Sequence, residues 1–150
     1  MRVVACTTAD TWINPWSSVM AKLDHVAVRV SDLDAAIAFY TDKLGLKLLF
    51  RKLDEQQHEA FAFLEMDGGN LELLCSLDAR NRPEPVTPPR IEEPYCPHVA
   101  IATDDIDALV STWRRDDIPV VTGPIEIPGM VRWVYTHDPD RNIIEFVQWL

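Results

Sequence analysis

Two histidines and two glutamates in this chain stand at matched positions 73 residues apart, His25 with His98 and Glu72 with Glu145. Two imidazole nitrogens and two carboxylate oxygens form a donor set for one divalent first-row metal (Ni, Co, Mn, Fe or Zn), with positions left for water or substrate. A single strand histidine is ordinarily a satisfied core or edge residue, and a single strand glutamate ordinarily faces solvent. Duplication in register lifts these four above that background. Glu72 also lies inside Asn-Leu-Glu-Leu-Leu74, where a carboxylate is costly unless something cationic compensates it.

The matched donors belong to a longer internal repeat. His25-Val-Ala-Val-Arg-Val-Ser-Asp-Leu-Asp-Ala35 recurs as His98-Val-Ala-Ile-Ala-Thr-Asp-Asp-Ile-Asp-Ala108, with six of eleven positions identical. Leu71-Glu-Leu-Leu74 recurs as Ile144-Glu-Phe-Val147 at the same offset. Two matches sharing one offset mean a duplicated module with no net insertion between its ends. The modules span 23–77 and 95–150. A tail, 1–22, precedes them and carries Trp12 and Trp16. A connection, 78–94, holds Pro83, Pro85, Pro88, Pro89 and Pro94, a density that prevents helix and favours extended chain.

Each donor must then be placed by its element. Alternating apolar residues predict first strands over Leu23–Val30 and His98–Thr103. A helix follows each. Ser31 is the expected cap of the first, whose apolar face is Leu33, Ile37, Tyr40 and Leu44, and Gly45 closes it. Asp104 or Thr103 is the expected cap of the second, with Ile106, Leu109, Val110 and Trp113 as its face. Three strands complete each module: Leu46–Leu53, Glu59–Met66 and Asn70–Cys75, then Val120–Ile125, Met130–Thr136 and Asn142–Gln148. The unit is βαβββ, twice, an α+β fold. Each His begins a first strand and each Glu lies on a last strand, so sheets paired about a local twofold would bring all four donors to one centre. Alternation puts Ala27 and Arg29 on the face of His25, and Ala100 and Ala102 on the face of His98. Small alanines there leave room for a pocket.

Composition narrows the partners. The chain is 47% hydrophobic and 25% charged, with 24 acidic against 14 basic residues and a net charge of −10. That field disfavours nucleic acid and anionic membrane surfaces. No apolar run reaches the roughly 18–20 residues of a membrane span. The N-terminus lacks a signal-like apolar stretch, and the three cysteines (Cys6, Cys75, Cys96) have no framework spacing. A cytoplasmic protein with reduced thiols, acting on a small molecule, is the expectation. His137 and His58 read as surface residues, Cys75 as facing away from Glu72, and Cys96 as able to approach the site.

Leu-Asp-His25, Ala-Phe-Tyr40 with Leu-Gly-Leu46, Pro-His98-Val-Ala, and Asp-Pro-Asp140 leading to Ile-Ile-Glu145 together resemble the vicinal oxygen chelate superfamily over 23–150. The resemblance implies paired βαβββ modules forming a half-open mixed-sheet barrel around one metal. The set His25, Glu72, His98 and Glu145 looks like that of glyoxalase I. Epimerases of methylmalonyl-CoA type generally carry an amide where Glu72 stands. Dioxygenases and fosfomycin-modifying members use one glutamate, and bleomycin-binding members lack the ligands. Arg29 matches an arginine that contacts the glutathione carboxylate in bacterial glyoxalase I. Departures are Ser76 where an asparagine is usual, Ile-Pro-Gly-Met130 in place of a lysine- and glycine-rich loop, and Asp138-Pro-Asp-Arg141 in place of Asp-Pro-Asp-Gly.

The implied activity is that of a metal-dependent lyase or isomerase, working through a metal-stabilised enediolate on an α-hydroxy carbonyl compound or hemithioacetal. Glu72 or Glu145 would act as base and Arg29 would hold an anionic tail. An epimerase or dioxygenase sharing the metal, and a non-catalytic ligand-sequestering protein, are the competing readings. Small relatives of this kind resemble homodimers with composite sites. In this chain the modules can pair within one chain or across a dimer.

Overall fold

The computed structural model describes residues 22–150; Cys6, Trp12, Trp16 and the rest of the tail before Lys22 lie outside the described residues. Eight strands and two helices follow in order: β1 (His25–Arg29), α1 (Leu33–Ala38), β2 (Lys47–Asp54), β3 (Glu59–Met66), β4 (Gly69–Ser76), β5 (His98–Ala102), α2 (Ile106–Arg115), β6 (Thr122–Ile127), β7 (Val131–His137) and β8 (Ile143–Trp149). They form two four-stranded sheets of identical topology, β1-β4-β3-β2 and β5-β8-β7-β6. In each, the first strand runs parallel to the last, and the other pairs are antiparallel. This is the expected α+β vicinal oxygen chelate architecture of two βαβββ modules.

Strand residues sort by face. On β4, Leu71, Leu73 and Cys75 are buried while Asn70, Glu72, Leu74 and Ser76 keep contact with solvent. The buried set packs against α1, which offers Leu33 and Ala36. In the second module Val134, Ile144 and Phe146 meet α2 through Ile106, Val110 and Trp113. Each sheet therefore buries its helix-facing side and leaves the other side for the polar donors.

Three local expectations are corrected. The cap of α1 is Asp32, whose side chain accepts from Ala35 N, and not Ser31. Ser31 N instead donates to Asp140 Oδ2 at 2.9 Å. The cap of α2 is Asp105, bonded to Ala108 N, and neither Asp104 nor Thr103. In both, the carboxylate three residues before the accepted amide wins because it reaches the free N–H of the first turn. The first helix also loosens into a π turn over Phe39–Lys43, and β6 starts two residues later than its apolar pattern suggests. Gly45, at φ +75°, closes the helical segment as expected.

Residues of β1 and β5 line a shared cleft, and the modules are latched by the Asp138–Asn142 turn. Asp138 is almost fully buried and accepts from Tyr40 OH at 3.1 Å, Asn142 N at 2.8 Å and Asn142 Nδ2 at 2.8 Å. Asn142 Nδ2 also donates to Arg29 O at 2.8 Å. Burial, then the Asp138 charge, pushes the Tyr40 hydroxyl far above the ordinary tyrosine range, so it serves only as donor. Its repeat counterpart, Trp113, is equally buried and packs edge-to-face on Phe146 at 5.2 Å.

Candidate metal centre

Each module assembles one His–Glu pair from its two parallel strands. On β1 and β4, Ala27 pairs with Glu72, and alternation brings His25 to the same face. His25 Nε2 lies 3.3 Å from Glu72 Oε2. On β5 and β8, Ala100 pairs with Glu145, and His98 Nε2 lies 3.0 Å from Glu145 Oε2. Both glutamate side chains are 15% exposed, enough shelter to disfavour an uncompensated charge.

The other ring nitrogen is committed in each case. His98 Nδ1–H donates to Tyr95 O at 2.8 Å, and His25 Nδ1–H donates to Asp24 Oδ1 at 2.6 Å. Anchoring Nδ1 leaves the Nε2 lone pair on the glutamate side, as a metal-ligating imidazole requires. The Asp24 hydrogen bond, reinforced by the Glu72 charge against some desolvation, raises the His25 pKa. Two donors about 2.0–2.2 Å from a shared ion sit about 3.0–3.4 Å apart, which matches both pairs. Each pair by itself has the spacing of two ligands of a divalent metal.

The two pairs do not converge within the chain: among the described residues no three His, Cys, Asp or Glu side chains form a cluster able to hold a metal. Each module presents one separate His–Glu pair. Arg29 shares a cleft of about 160 Å³ with Val26, His98, Asn142 and Ile143, lined by residues of both β1 and β5. Its guanidinium is half exposed, with Glu84 of the proline-rich connection 3.9 Å away.

Aromatic rings lie on the faces that carry the candidate donors. Phe50 stacks on Phe63 at 5.0 Å, Phe61 meets both edge-on, and Phe63 meets the His25 ring at 5.3 Å. In the second module Tyr135 lies 5.5 Å from the His98 ring and 5.1 Å from Tyr95. Burial, then the neighbouring Glu145 carboxylate, pushes the Tyr135 hydroxyl up to about 12. Asp24, Tyr95 and Tyr135 are the neighbours of the candidate donors that sequence reading missed. Asp24 had a signal in Leu-Asp-His25, and Tyr135 could have been found by counting back across the Asp138–Asn142 turn from Glu145.

The remaining candidates take structural places. Cys75 is buried in the core, turned from Glu72 as expected, and Cys96 is exposed with its sulfur 3.8 Å from His98 Nδ1. His137 donates Nδ1–H to Asp138 O at 2.7 Å at the end of β7. His58, read as exposed, is half buried against Asn81 at 2.9 Å; its backbone adopts φ +55° at the β2–β3 turn and folds the ring inward.

Residues 22–146 match the family model described as Glyoxalase/Bleomycin resistance protein/Dioxygenase superfamily. A protein of Bacillus subtilis named YwbC is 30% identical over 131 residues, covering 86% of this chain and 99% of its own. A probable lactoylglutathione lyase of Vibrio cholerae is 30% identical over 129 residues, covering 83% and 88%. Among solved structures, the trypanothione-dependent glyoxalase I of Leishmania major aligns with a TM-score of 0.65 at 29% identity, over 86% of this chain and 87% of that one. No helix among the described residues is long and apolar enough to cross a membrane.

Proposed function

Because the chain belongs to the glyoxalase/bleomycin resistance protein/dioxygenase superfamily, we propose that it is a metal-dependent lyase or isomerase of glyoxalase type. It works as a homodimer, each centre built from His25 and Glu72 of one subunit with His98 and Glu145 of the other. The observation that carries this reading is the matched geometry of the two half-sites, each with Nε2 facing a carboxylate and Nδ1 anchored. Exposed apolar residues on the donor-bearing sides of the two sheets support the dimer: Phe50, Ile125, Ile127 and Trp149 are between 39% and 72% exposed, a surface suited to cover by a second copy.

A divalent metal held by these four donors supplies Lewis acidity to a carbonyl and its neighbouring hydroxyl. The chain's own residues do the rest. One glutamate takes the proton from the carbon beside the carbonyl and returns it to the neighbouring carbon. Arg29 holds an anionic portion of the substrate. Phe63 and Tyr135 pack around the donors and exclude water. The substrate is an α-hydroxy carbonyl compound or a hemithioacetal.

Elemental mass spectrometry of the purified protein and of His98→Ala tests the reading. About one Ni, Co, Mn, Fe or Zn per chain is expected, and its loss in the variant. A wild-type protein that holds no metal after reconstitution overturns it. With metal established, solvent deuterium entering hemithioacetals or acyl-CoA epimers without oxygen uptake supports proton transfer, whereas oxygen consumption supports the dioxygenase alternative.

A further inference from the structure

Arg29 does not stand alone in its cleft: a carboxylate of its own chain faces it. Among the described residues that line the cleft, Arg29 is the one with a permanent charge. Its backbone is held from both sides, Asn142 Nδ2 donating to Arg29 O at 2.8 Å and Val30 N to Leu74 O at 2.9 Å. Arg29 Nη2 lies 3.9 Å from Glu84 Oε2, and both side chains are about half exposed.

Glu84 reaches Arg29 because the proline-rich connection first turns back along β4. Leu74 O and Ser76 O, two residues apart, point to the same edge of that strand. The first accepts from Val30 N, where β1 leaves the sheet, and the second accepts from Glu84 N at 2.9 Å. Leu77 and Pro83 form the adjoining bridge. The turn between them is fastened by Asp78, which accepts from Arg80 N and Arg82 N, and by the His58 ring, 2.9 Å from Asn81. Glu84 itself stands between Pro83 and Pro85, and a residue before proline is confined to extended backbone. The returning strand therefore presents this carboxylate beside Arg29 with its backbone already ordered.

We propose that Glu84 is a specificity-determining residue: it occupies the Arg29 guanidinium in the free chain and selects against substrates whose tail carries two carboxylates. The inference rests on the anion-holding role of Arg29 proposed above. A substrate carboxylate must displace Glu84 to reach Arg29. A second carboxylate on the same tail then meets the Glu84 charge at close range, a repulsive element that discriminates between ligands. A neutral tail meets neither cost.

The test titrates glutarate, a simple dicarboxylate, into the full chain at low salt and follows the Arg29 side-chain nitrogen resonances by NMR. Wild type, Glu84→Gln, Glu84→Lys and Arg29→Gln are compared, each checked for cooperative thermal unfolding, with the neutral diamide of glutarate as control. Glu84→Gln is expected to bind glutarate about two- to fivefold more tightly than wild type, the range of an exposed ion pair. Charge reversal in Glu84→Lys raises the gain to about tenfold, and Arg29→Gln loses the binding. Affinity for the diamide stays the same in wild type and both Glu84 variants, a split between charged and neutral ligand that a merely structural role of Glu84 would not produce. Equal glutarate affinity in wild type and the Glu84 variants, or equal gains for glutarate and its diamide, overturn the inference while the Arg29 assignment stands. An Arg29 signal that responds to glutarate in none of the proteins overturns the Arg29 assignment, and the inference with it.

Discussion

Among single side chains, the histidines gain their chemical meaning from what holds their far nitrogens. Nδ1 of His25 and of His98 each spends its proton on an oxygen, the anchoring that the proposed ligand role of each Nε2 needs. Polar placement matters equally away from the centre. The Tyr40 hydroxyl is one of three donors to the buried Asp138 carboxyl, and that carboxyl belongs to the turn joining the modules. Burial raises the Asp138 pKa against the pull of those donors. Tyr40→Phe is therefore expected to destabilise the fold by about 1.5–3 kcal/mol, the range for a hydrogen bond to a charged group. For a chain of this size that lowers Tm by about 3–12 °C, measurable by calorimetry. An unchanged Tm would mean that the turn draws no stability from the tyrosine.

Secondary elements set which donors meet. The parallel pairing of first and last strands, β1 with β4 and β5 with β8, places His and Glu on one face at every repetition of the unit. The proline-rich connection between modules is tied at its start by Asp78, which accepts from Arg80 N and Arg82 N through Oδ1 and from the Arg82 guanidinium through Oδ2. These bonds, the Arg82 side chain foremost, lower the Asp78 carboxyl from 3.8 to about 2. A carboxyl depressed on folding stabilises the native turn above about 3.8, and its contribution fades as pH falls through about 2. Carbon-detected NMR titration should find the Asp78 midpoint near 2. A midpoint near 3.8 would show an open turn in solution. Because the group is exposed, the effect on global stability is screened.

For the molecule as a whole, the separation of the two His–Glu pairs means that the proposed four-ligand centre needs a second copy of the chain. A homodimer with shared centres predicts complementation. His25→Ala and His98→Ala proteins are each expected to lack two-module metal centres. Unfolded and refolded together, they form heterodimers in which one centre carries both lesions and the other carries neither. With random association, about a quarter of the wild-type metal content should return. Mixtures no better than the separate variants would mean that the centres are not shared between subunits, and light scattering at the mass of one chain would exclude the dimer directly.

The repeat at an offset of 73, the alternating strands and the paired His and Glu were legible in the residues because each is a local periodic property, carried by side-chain spacing along one strand or one helix. Helix caps were less legible: Ser31, Asp32, Asp104 and Asp105 are all competent, and only the local backbone selects which reaches the free amide. Three things needed folded geometry. Cross-strand register set Phe63 against Glu72 and Tyr135 against Glu145. The Asp138–Asn142 turn locked one module to the other through Tyr40, Ser31 and Arg29. The chain also kept its two His–Glu pairs apart. Such relations join residues far apart in sequence, so no pattern along the chain encodes them singly. They follow from the sum of edge pairing, core packing and turn geometry acting together.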